Sequence, residues 1–144
     1  MTKAILGSGT LVEYNNGSSW VEAIEPRSIG EIGDEGTFVD ATHLNSPNQT
    51  REYIAGLSDT LEKDLEFNFV ADDANQIALR SRAKNKTQTD FRVTFPAAVD
   101  SGDQQRLTFT MALTSWKMSD PTPDGIITFV VNGRITGTVS ESIV

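Results

Sequence analysis

Residues 60–70 read Thr-Leu-Glu-Lys-Asp-Leu-Glu-Phe-Asn-Phe-Val, and their alternation of apolar and polar side chains decides the fold class. Successive residues of a β-strand point to opposite faces, so a period of two predicts a strand with two unlike faces. One predicted face is mostly apolar and carries Leu61, Lys63, Leu65, Phe67 and Phe69. The other carries Asn68 and a row of three carboxylates, Glu62, Asp64 and Glu66.

The same alternation recurs towards the C-terminus. Residues 91–95 predict a short strand, and residues 106–114 belong to a long strand of about twelve residues with one polar face. Trp116 falls on the polar register of that strand. Two more strands are predicted within residues 126–139, and Asn132-Gly133 between them favours a type I′ hairpin turn.

The N-terminal half predicts shorter strands. Residues 11–14 and 20–24 are β-prone, and the Asn-Asn-Gly-Ser-Ser segment between them predicts a hairpin. Further short runs at 27–29 and 36–40 are separated by glycine-containing turns. Residues 41–57 follow as a long, polar, proline-broken loop that ends in an apolar cluster. A small domain rarely keeps so long a loop unless it has a function.

Residues 72–84 are the one good helix candidate. Asp72 or Asp73 can accept hydrogen bonds from the free amides of the first turn. The C-terminal end is basic, which suits the helix dipole. A stripe of small residues recurs at helical spacing, namely Ala74, Ile77, Ala78 and Ser81.

Together these elements predict a mainly β fold. It is an antiparallel β-sandwich or partly open barrel of about seven to nine strands. One flanking α-helix at about 72–84 and a long loop at about 41–57 complete it. A length of 144 residues predicts a single domain over residues 1–144.

Composition narrows the classes of function. The net charge of −8 argues against a protein that grips nucleic acid, but it suits a wall past which nucleic acid slides. The chain has no cysteine, which excludes disulfides, thiol catalysis and cysteine-bound zinc. No apolar run approaches the roughly 20 residues of a bilayer-spanning helix, and no signal peptide is evident. We therefore expect synthesis in the cytoplasm.

Catalytic and metal-binding patterns are also missing. His43 is the sole histidine, so it has no second histidine with which to bind a metal, and no Gly-x-Ser-x-Gly motif is present. The row of Glu62, Asp64 and Glu66 suits a charged surface better than the two facing carboxylates of a glycosidase. We expect no enzyme activity, no metal and no cofactor, and assign His43 to contacts made by the loop.

The loop carries a family resemblance. Asp-Ala-Thr-His-Leu-Asn-Ser-Pro-Asn-Gln-Thr-Arg-Glu-Tyr-Ile-Ala-Gly-Leu at residues 40–57 resembles the stacking loop of tail tube (major tail) proteins of long-tailed bacteriophages. The order continues with Leu-Glu-Phe-Asn-Phe at 65–69, a helix, and Phe-Arg-Val-Thr-Phe-Pro at 91–96. That siphophage tail tube family is related in fold to the tube proteins of contractile tails and type VI secretion.

The resemblance implies a virion structural protein without catalysis or cofactor. Six subunits would form a homohexameric ring whose sheets join into one barrel, and the rings would stack into a tube. The tube would enclose the tape measure protein and later pass DNA into the host without binding it specifically. Tail terminator and tail tip or baseplate proteins would be further partners. Assembly would occur in the host bacterial cytoplasm.

The resemblance also implies roles for particular residues. Contacts between rings would involve Thr42, His43, Leu44, Asn45, Ser46, Pro47, Arg51, Glu52, Tyr53, Ile54 and Leu57. The row of Glu62, Asp64 and Glu66 is the candidate lining of the channel, because these carboxylates share one face of a strand.

Two alternatives stay open at the level of sequence. One is another tail or baseplate component on the same fold, such as a tail terminator, a hub or a secretion tube protein. The other is a monomeric β-sandwich that binds sugars or peptides. It would need an exposed aromatic platform, for which Trp20 and Trp116 are the candidates.

Overall fold

The computed structural model describes residues 2–59 and 61–144, and within them nine strands and one α-helix form. The strands are β1 Leu11–Asn15, β2 Trp20–Glu22, β3 Pro26–Ser28, β4 Glu35–Asp40, β5 Tyr53–Asp59, β6 Glu62–Asn68, β7 Gln88–Thr94, β8 Gln105–Met118 and β9 Thr128–Ile143. The helix α1 spans Ala74–Lys84. The mainly β prediction is confirmed. Thr60, the first residue of the predicted strand at 60–70, lies outside the described residues.

Seven strands form one antiparallel sheet in the order β2-β1-β7-β8-β9-β6-β3. Six spacings of about 4.8 Å would separate the edge strands β2 and β3 by about 29 Å if the sheet were flat. Only three residues, 23–25, connect those edges, and they span at most about 15 Å. The sheet must therefore curve back on itself, which produces a partly open barrel, one of the two architectures that the sequence predicts.

The core fills the inside of this curve. The rings of Phe67 and Phe129 stack with their centroids 5.3 Å apart, and those of Phe91 and Phe109 with theirs 5.9 Å apart. All four side chains are at most 2% exposed, and Tyr14 is fully buried beside Phe91. These residues alternate along their strands with polar residues on the other face, which we call the polar face.

The helix covers one side of the core, but with a different face from the predicted stripe of small residues. Asp73 is the N-cap, since its carboxylate accepts the Gln76 N–H at 2.9 Å. The buried residues are Gln76, Leu79 and Ala83, whereas Ile77 is 49% exposed. The buried Gln76 amide donates to the carbonyls of residues 24 and 68 and accepts the N–H of residue 70. The hydrogen bonds of this buried polar side chain are thus satisfied, at a helix position outside the predicted stripe.

The turn predicted at Asn132-Gly133 is wrong, because β9 runs through both residues without a break. Gly133 lies on the core side, opposite Leu113 of β8 and Lys63 of β6. A Cβ at this position would lie 2.6 Å from the Ala112 carbonyl oxygen. The glycine therefore serves close approach of two strands beside a β-bulge, and no turn forms.

The same bulge corrects the position of Trp116. A register shift between Leu113 and Ser115 places Trp116 opposite the buried Val131, on the core side of the sheet. Strict period-two counting placed it on the polar face, and the extra residue of the bulge reverses that assignment.

The loop predicted at 41–57 is shorter in the structure. Its last part, together with the next residues, forms β5, which pairs with β4 in a separate two-stranded sheet. The connection between the two strands is residues 41–52.

Candidate functional site: an exposed hairpin arm and a polar sheet face

Strands β4 and β5 form a hairpin that stands apart from the main sheet. We call residues 35–59 the hairpin arm. Every residue of β4 is exposed, and the register pairs Asp40 with Tyr53 at the outer end of the strands. A two-stranded hairpin is at best marginally stable in water. The arm therefore calls for a partner surface that covers it.

Both faces of the hairpin arm carry exposed apolar side chains. Phe38 packs edge-on against Tyr53 on one face, with ring centroids 6.4 Å apart, and Val39 pairs with Ile54 on the other. The exposed fractions run from 50% for Val39 to 78% for Phe38, and Leu57 reaches 89%. Soluble monomers rarely expose large contiguous apolar surface, so this arrangement indicates an interaction site.

The tip of the arm, residues 41–52, is organised around Glu52. Its Oε2 accepts the Ser46 hydroxyl at 2.9 Å and lies 3.3 Å from His43 Nε2. The Asn45 N–H donates to His43 Nδ1 at 3.1 Å, so Nδ1 acts as an acceptor. A neutral imidazole with its proton on Nε2 satisfies both contacts. His43 is therefore a structural member of the tip.

The base of the tip closes through backbone and side-chain bonds. The Ala41 N–H donates to the Glu52 carbonyl at 2.8 Å, and the Glu52 N–H donates to the Thr42 hydroxyl at 2.8 Å. Hydrogen bonds from the Thr42 side chain and backbone lower the pKa of Asp40. Arg51 Nη1 lies 3.5 Å from Asp40 Oδ2. These bonds fix the chain entering the tip to the chain leaving it.

Leu44 stands on this ordered tip without any cover. It is fully exposed, while its neighbours His43 and Asn45 are held by hydrogen bonds. A short turn at Pro47–Gln49 lies close behind it, with Asn48 and Gln49 in the left-handed region. A backbone fixed by hydrogen bonds thus presents a fully exposed leucine at the outer end of the arm, next to the exposed apolar residues of its strands.

The structure gathers all the predicted contact residues into the hairpin arm. Eight lie in the tip: Thr42, His43, Leu44, Asn45, Ser46, Pro47, Arg51 and Glu52. Three lie on β5: Tyr53, Ile54 and Leu57. Sequence reasoning assigned no contact role to Phe38 and Val39 on β4. The β-prone pattern of residues 36–40 predicted a strand. The exposure of Phe38 and Val39, however, depends on which strand pairs with β4, and the pattern does not identify that strand.

The carboxylates of β6 lie together on the polar face of the main sheet. Glu62 pairs with Arg134 of β9, with Oε1 and Nη2 3.3 Å apart. Asp64 accepts a hydrogen bond from the Asn132 amide. Glu66 continues the row one pleat further along. The structure therefore confirms that the three carboxylates share one face.

The polar face is ordered by side-chain pairs across other strands too. Arg92 makes a two-pronged ion pair with Glu13, at 2.9 and 3.0 Å. Its guanidinium lies 4.5 Å from the centroid of the Trp20 ring. One face of the Trp20 ring is therefore occupied by a cation from the same subunit. The Thr110 hydroxyl donates to Asp90 on the neighbouring strand.

Lys63 anchors the chain that leads into the hairpin arm. It is 3% exposed, and its ammonium donates to the carbonyls of Ile29 and Glu31, to the second at 2.7 Å. Burial lowers the pKa of Lys63 to about 8, against a smaller opposing effect of Glu31. Residues 29–31 are the first half of the connection from β3 to the arm, so this lysine ties the root of the arm to β6.

Among residues 2–59 and 61–144, no group of three or more His, Cys, Asp or Glu side chains could hold a metal ion. Helices in the same part of the chain are all too short or too polar to cross a membrane.

A model of a protein family matches most of the chain. The model described as "Lambda phage tail tube protein, TTP" matches residues 12–135, which include the whole hairpin arm and the main sheet except the first residue of β1 and the second half of β9. Comparison with curated proteins gives no match.

Solved structures of tails and related particles share the fold. A chain from the tail of an empty gene transfer agent particle, computed with C6 symmetry, is 18% identical with a TM-score of 0.74 and covers 96% of this chain and 99% of its own. The SPP1 tail tube protein is 14% identical with a TM-score of 0.68, and the match covers 97% of this chain and 78% of the SPP1 chain. A chain from the six-fold symmetrised baseplate of the anti-feeding prophage is 11% identical with a TM-score of 0.75, and the match covers 100% of this chain and 97% of the baseplate chain. At these identities the likeness concerns the fold.

Proposed function

Because this chain belongs to the lambda phage tail tube protein family, we propose that its subunits close into six-membered rings and that the rings stack into a tail tube. Members of this family are structural components of the virion and are not enzymes. The six-fold symmetry stated for two of the similar assemblies supports a ring of six.

The exposed hairpin arm is the observation that carries this proposal. It presents apolar side chains on both faces and an uncovered Leu44 at a hydrogen-bonded tip. Contact with a neighbouring ring would remove this surface from water, at about 25 cal/mol for each Å² of apolar area. The ordered tip reduces the entropy lost on contact, because its backbone is already fixed.

The polar face of the main sheet suits the wall of a channel. In a ring, the helix and core lie on one side of the sheet and the row of Glu62, Asp64 and Glu66 on the other. Joining the free edges of β2 and β3 to neighbouring subunits would also cover unpaired backbone groups. Carboxylates on the channel wall repel phosphate, so DNA would pass without being held.

The channel of this tube would hold two different molecules, one after the other. The tape measure protein would occupy the channel during assembly, and DNA would follow it during delivery into the host. Each end of the tube would need a closing partner, namely a tail terminator and a tail tip or baseplate protein. The match to a tube-terminating cap chain, with a TM-score of 0.69 and 10% identity, shows the same fold at such an end.

A shortened arm tests the stacking role. Asp40 and Tyr53 are a register pair, so Asn-Gly in place of residues 41–52 closes the hairpin with a two-residue turn. We expect this variant to stay folded by circular dichroism and to form no long tubes in negative-stain micrographs. Leu44→Ser is expected to raise the concentration needed for tubes, whereas Ile77→Ser, at an exposed helix position, is the matched control. Normal tubes from the shortened arm would refute the proposal.

Thiol labelling tests which face lines the channel. Because the chain has no cysteine, Glu62→Cys and Lys84→Cys each introduce a single thiol, one on the polar face and one on the helix. We expect a bulky maleimide to label both in free subunits, but only the second one in long tubes. Equal labelling in tubes would place the carboxylate row outside the channel.

A further inference from the structure

The hairpin arm and the connection between β8 and β9 lie at opposite ends of β6. The arm leaves the barrel at the Glu62 end, because β5 precedes β6 directly along the chain. At the other end, Asn68 pairs with Thr128, and Phe129 pairs with Met118, so the β8–β9 connection lies there. Seven residues of strand separate the two ends by about 20 Å.

The far end carries a second exposed apolar cluster. We call it the end cluster: Trp116, Met118, Ile126 and Ile127. Ile126 is 67% exposed, and the other three are 37–39% exposed. Trp116 and Met118 lie opposite Val131 and Phe129, so they extend the core face beyond the part that the body of the subunit covers. Side chains in these positions are expected to find cover in an assembly.

We propose that the end cluster is the surface on which the hairpin arm of the next copy docks. The inference rests on the stacking described above and names the surface on the receiving subunit. Copies related by translation along β6 bring the arm of one against the far end of the next. Such a head-to-tail contact uses two different surfaces and can repeat without limit. Each arm then covers one end cluster, and each end cluster receives one arm.

One pair of opposite charges lies at the rims of the two surfaces, although the arm as a whole is acidic, with Glu35, Asp40, Glu52 and Asp59 against Arg51. Asp120 and Asp124 lie exposed in the connection that carries Ile126. The arm presents Arg51, whose side chain is 75% exposed and 3.5 Å from Asp40. An arginine at the rim of an apolar contact and acids at the rim of its partner favour the correct orientation over others.

Other exposed apolar residues fit this role less well. Val144 pairs through its backbone with Gln104, and Val99 lies in the neighbouring turn. Both lie at the arm's own end of the barrel. After Arg134, opposite Glu62, β9 continues past this end to Ile143, and Val144 then pairs with Gln104, close to the turn that contains Val99. An arm from the next ring docked there would relate two copies by a two-fold axis. Such a pair closes on itself and cannot grow into a stack.

Cross-linking between two introduced cysteines distinguishes these arrangements. Assembled Leu44→Cys/Ile126→Cys protein is treated with a short bismaleimide, which tolerates more separation than the roughly 7 Å between Cα atoms that a disulfide allows. We expect a ladder of covalent dimers, trimers and higher multimers in denaturing gels. Leu44→Cys/Val144→Cys is the matched control, and no ladder is expected from it. A mixture of the two single variants Leu44→Cys and Ile126→Cys should stop at dimers.

The outcomes separate this inference from the proposed function. Tubes in micrographs with no ladder from the Ile126 pair, or with stronger cross-linking through Val144, would overturn the docking surface and leave tube formation standing. Absence of tubes at every concentration of the unmodified protein would overturn both. Both positions of the test pair are well exposed, and circular dichroism verifies that each variant is folded.

Discussion

Replacing Lys63 with methionine should remove a specific pH dependence from the stability of the subunit. In the folded chain its ammonium is buried and bound to the carbonyls of Ile29 and Glu31. Burial lowers its pKa from 10.5 to about 8. In the unfolded chain the ammonium is hydrated and keeps the ordinary value.

The sign follows from counting bound protons in each state. Between pH 8 and 10.5 the unfolded state holds more protons than the folded state, so the free energy of unfolding rises with pH. Each pKa unit corresponds to about 1.4 kcal/mol, and the rise between pH 7 and pH 10 is therefore about 2.5 kcal/mol. The Tyr14 pKa is raised, chiefly by burial, which lowers stability above pH 10 in wild type and variant alike.

Urea unfolding at half-unit steps from pH 7 to pH 10 measures this rise. The wild type should gain stability across the range, Lys63→Met should lose that gain, and Lys84→Met, at an exposed lysine, should keep it. The same slope in Lys63→Met and in the wild type would refute the assignment of the buried ammonium. Because Lys63 ties residues 29–31 to β6, we also expect the variant to show faster hydrogen exchange at the root of the hairpin arm.

Two further predictions concern the core. Gly133→Ala should lower the free energy of unfolding by about 1–3 kcal/mol, because its Cβ would overlap the Ala112 carbonyl. Gly33→Ala, where a Cβ meets nothing within 4 Å, should change it little, and equal unfolding midpoints for both would contradict the close approach. Gln76→Met should cost about 2–3 kcal/mol by leaving buried backbone groups without partners, and a stable variant in thermal unfolding would show that those groups find others.

Local patterns in the sequence were sufficient for most of the main sheet. The alternation at residues 60–70 and 106–114 sets which side chains face the core, because period two is a property of the strand itself. A cap at Asp72 or Asp73 was equally readable, since the capping bond spans only three residues, and the structure selects Asp73. The carboxylates shared one face for the same local reason.

Features that depend on distant neighbours were not readable in this way. Asn132-Gly133 is a strong local turn signal, yet the approach of β8 makes the glycine part of a strand. The bulge that moves Trp116 to the core side depends on pairing with β9. Likewise, exposure of Phe38 follows from its pairing with β5 across a twelve-residue connection rather than with the main sheet. In each case a tertiary contact overrides a correct local tendency.

The central claim is that the hairpin arm joins stacked rings while the carboxylate row of β6 lines the channel. A cryo-EM reconstruction of the polymer formed by the concentrated protein tests both halves at once. We predict a hollow tube in which Leu44 is buried against the adjacent ring and Glu62 faces the lumen. An arm left in solvent, or Glu62 on the outer wall, would contradict the account.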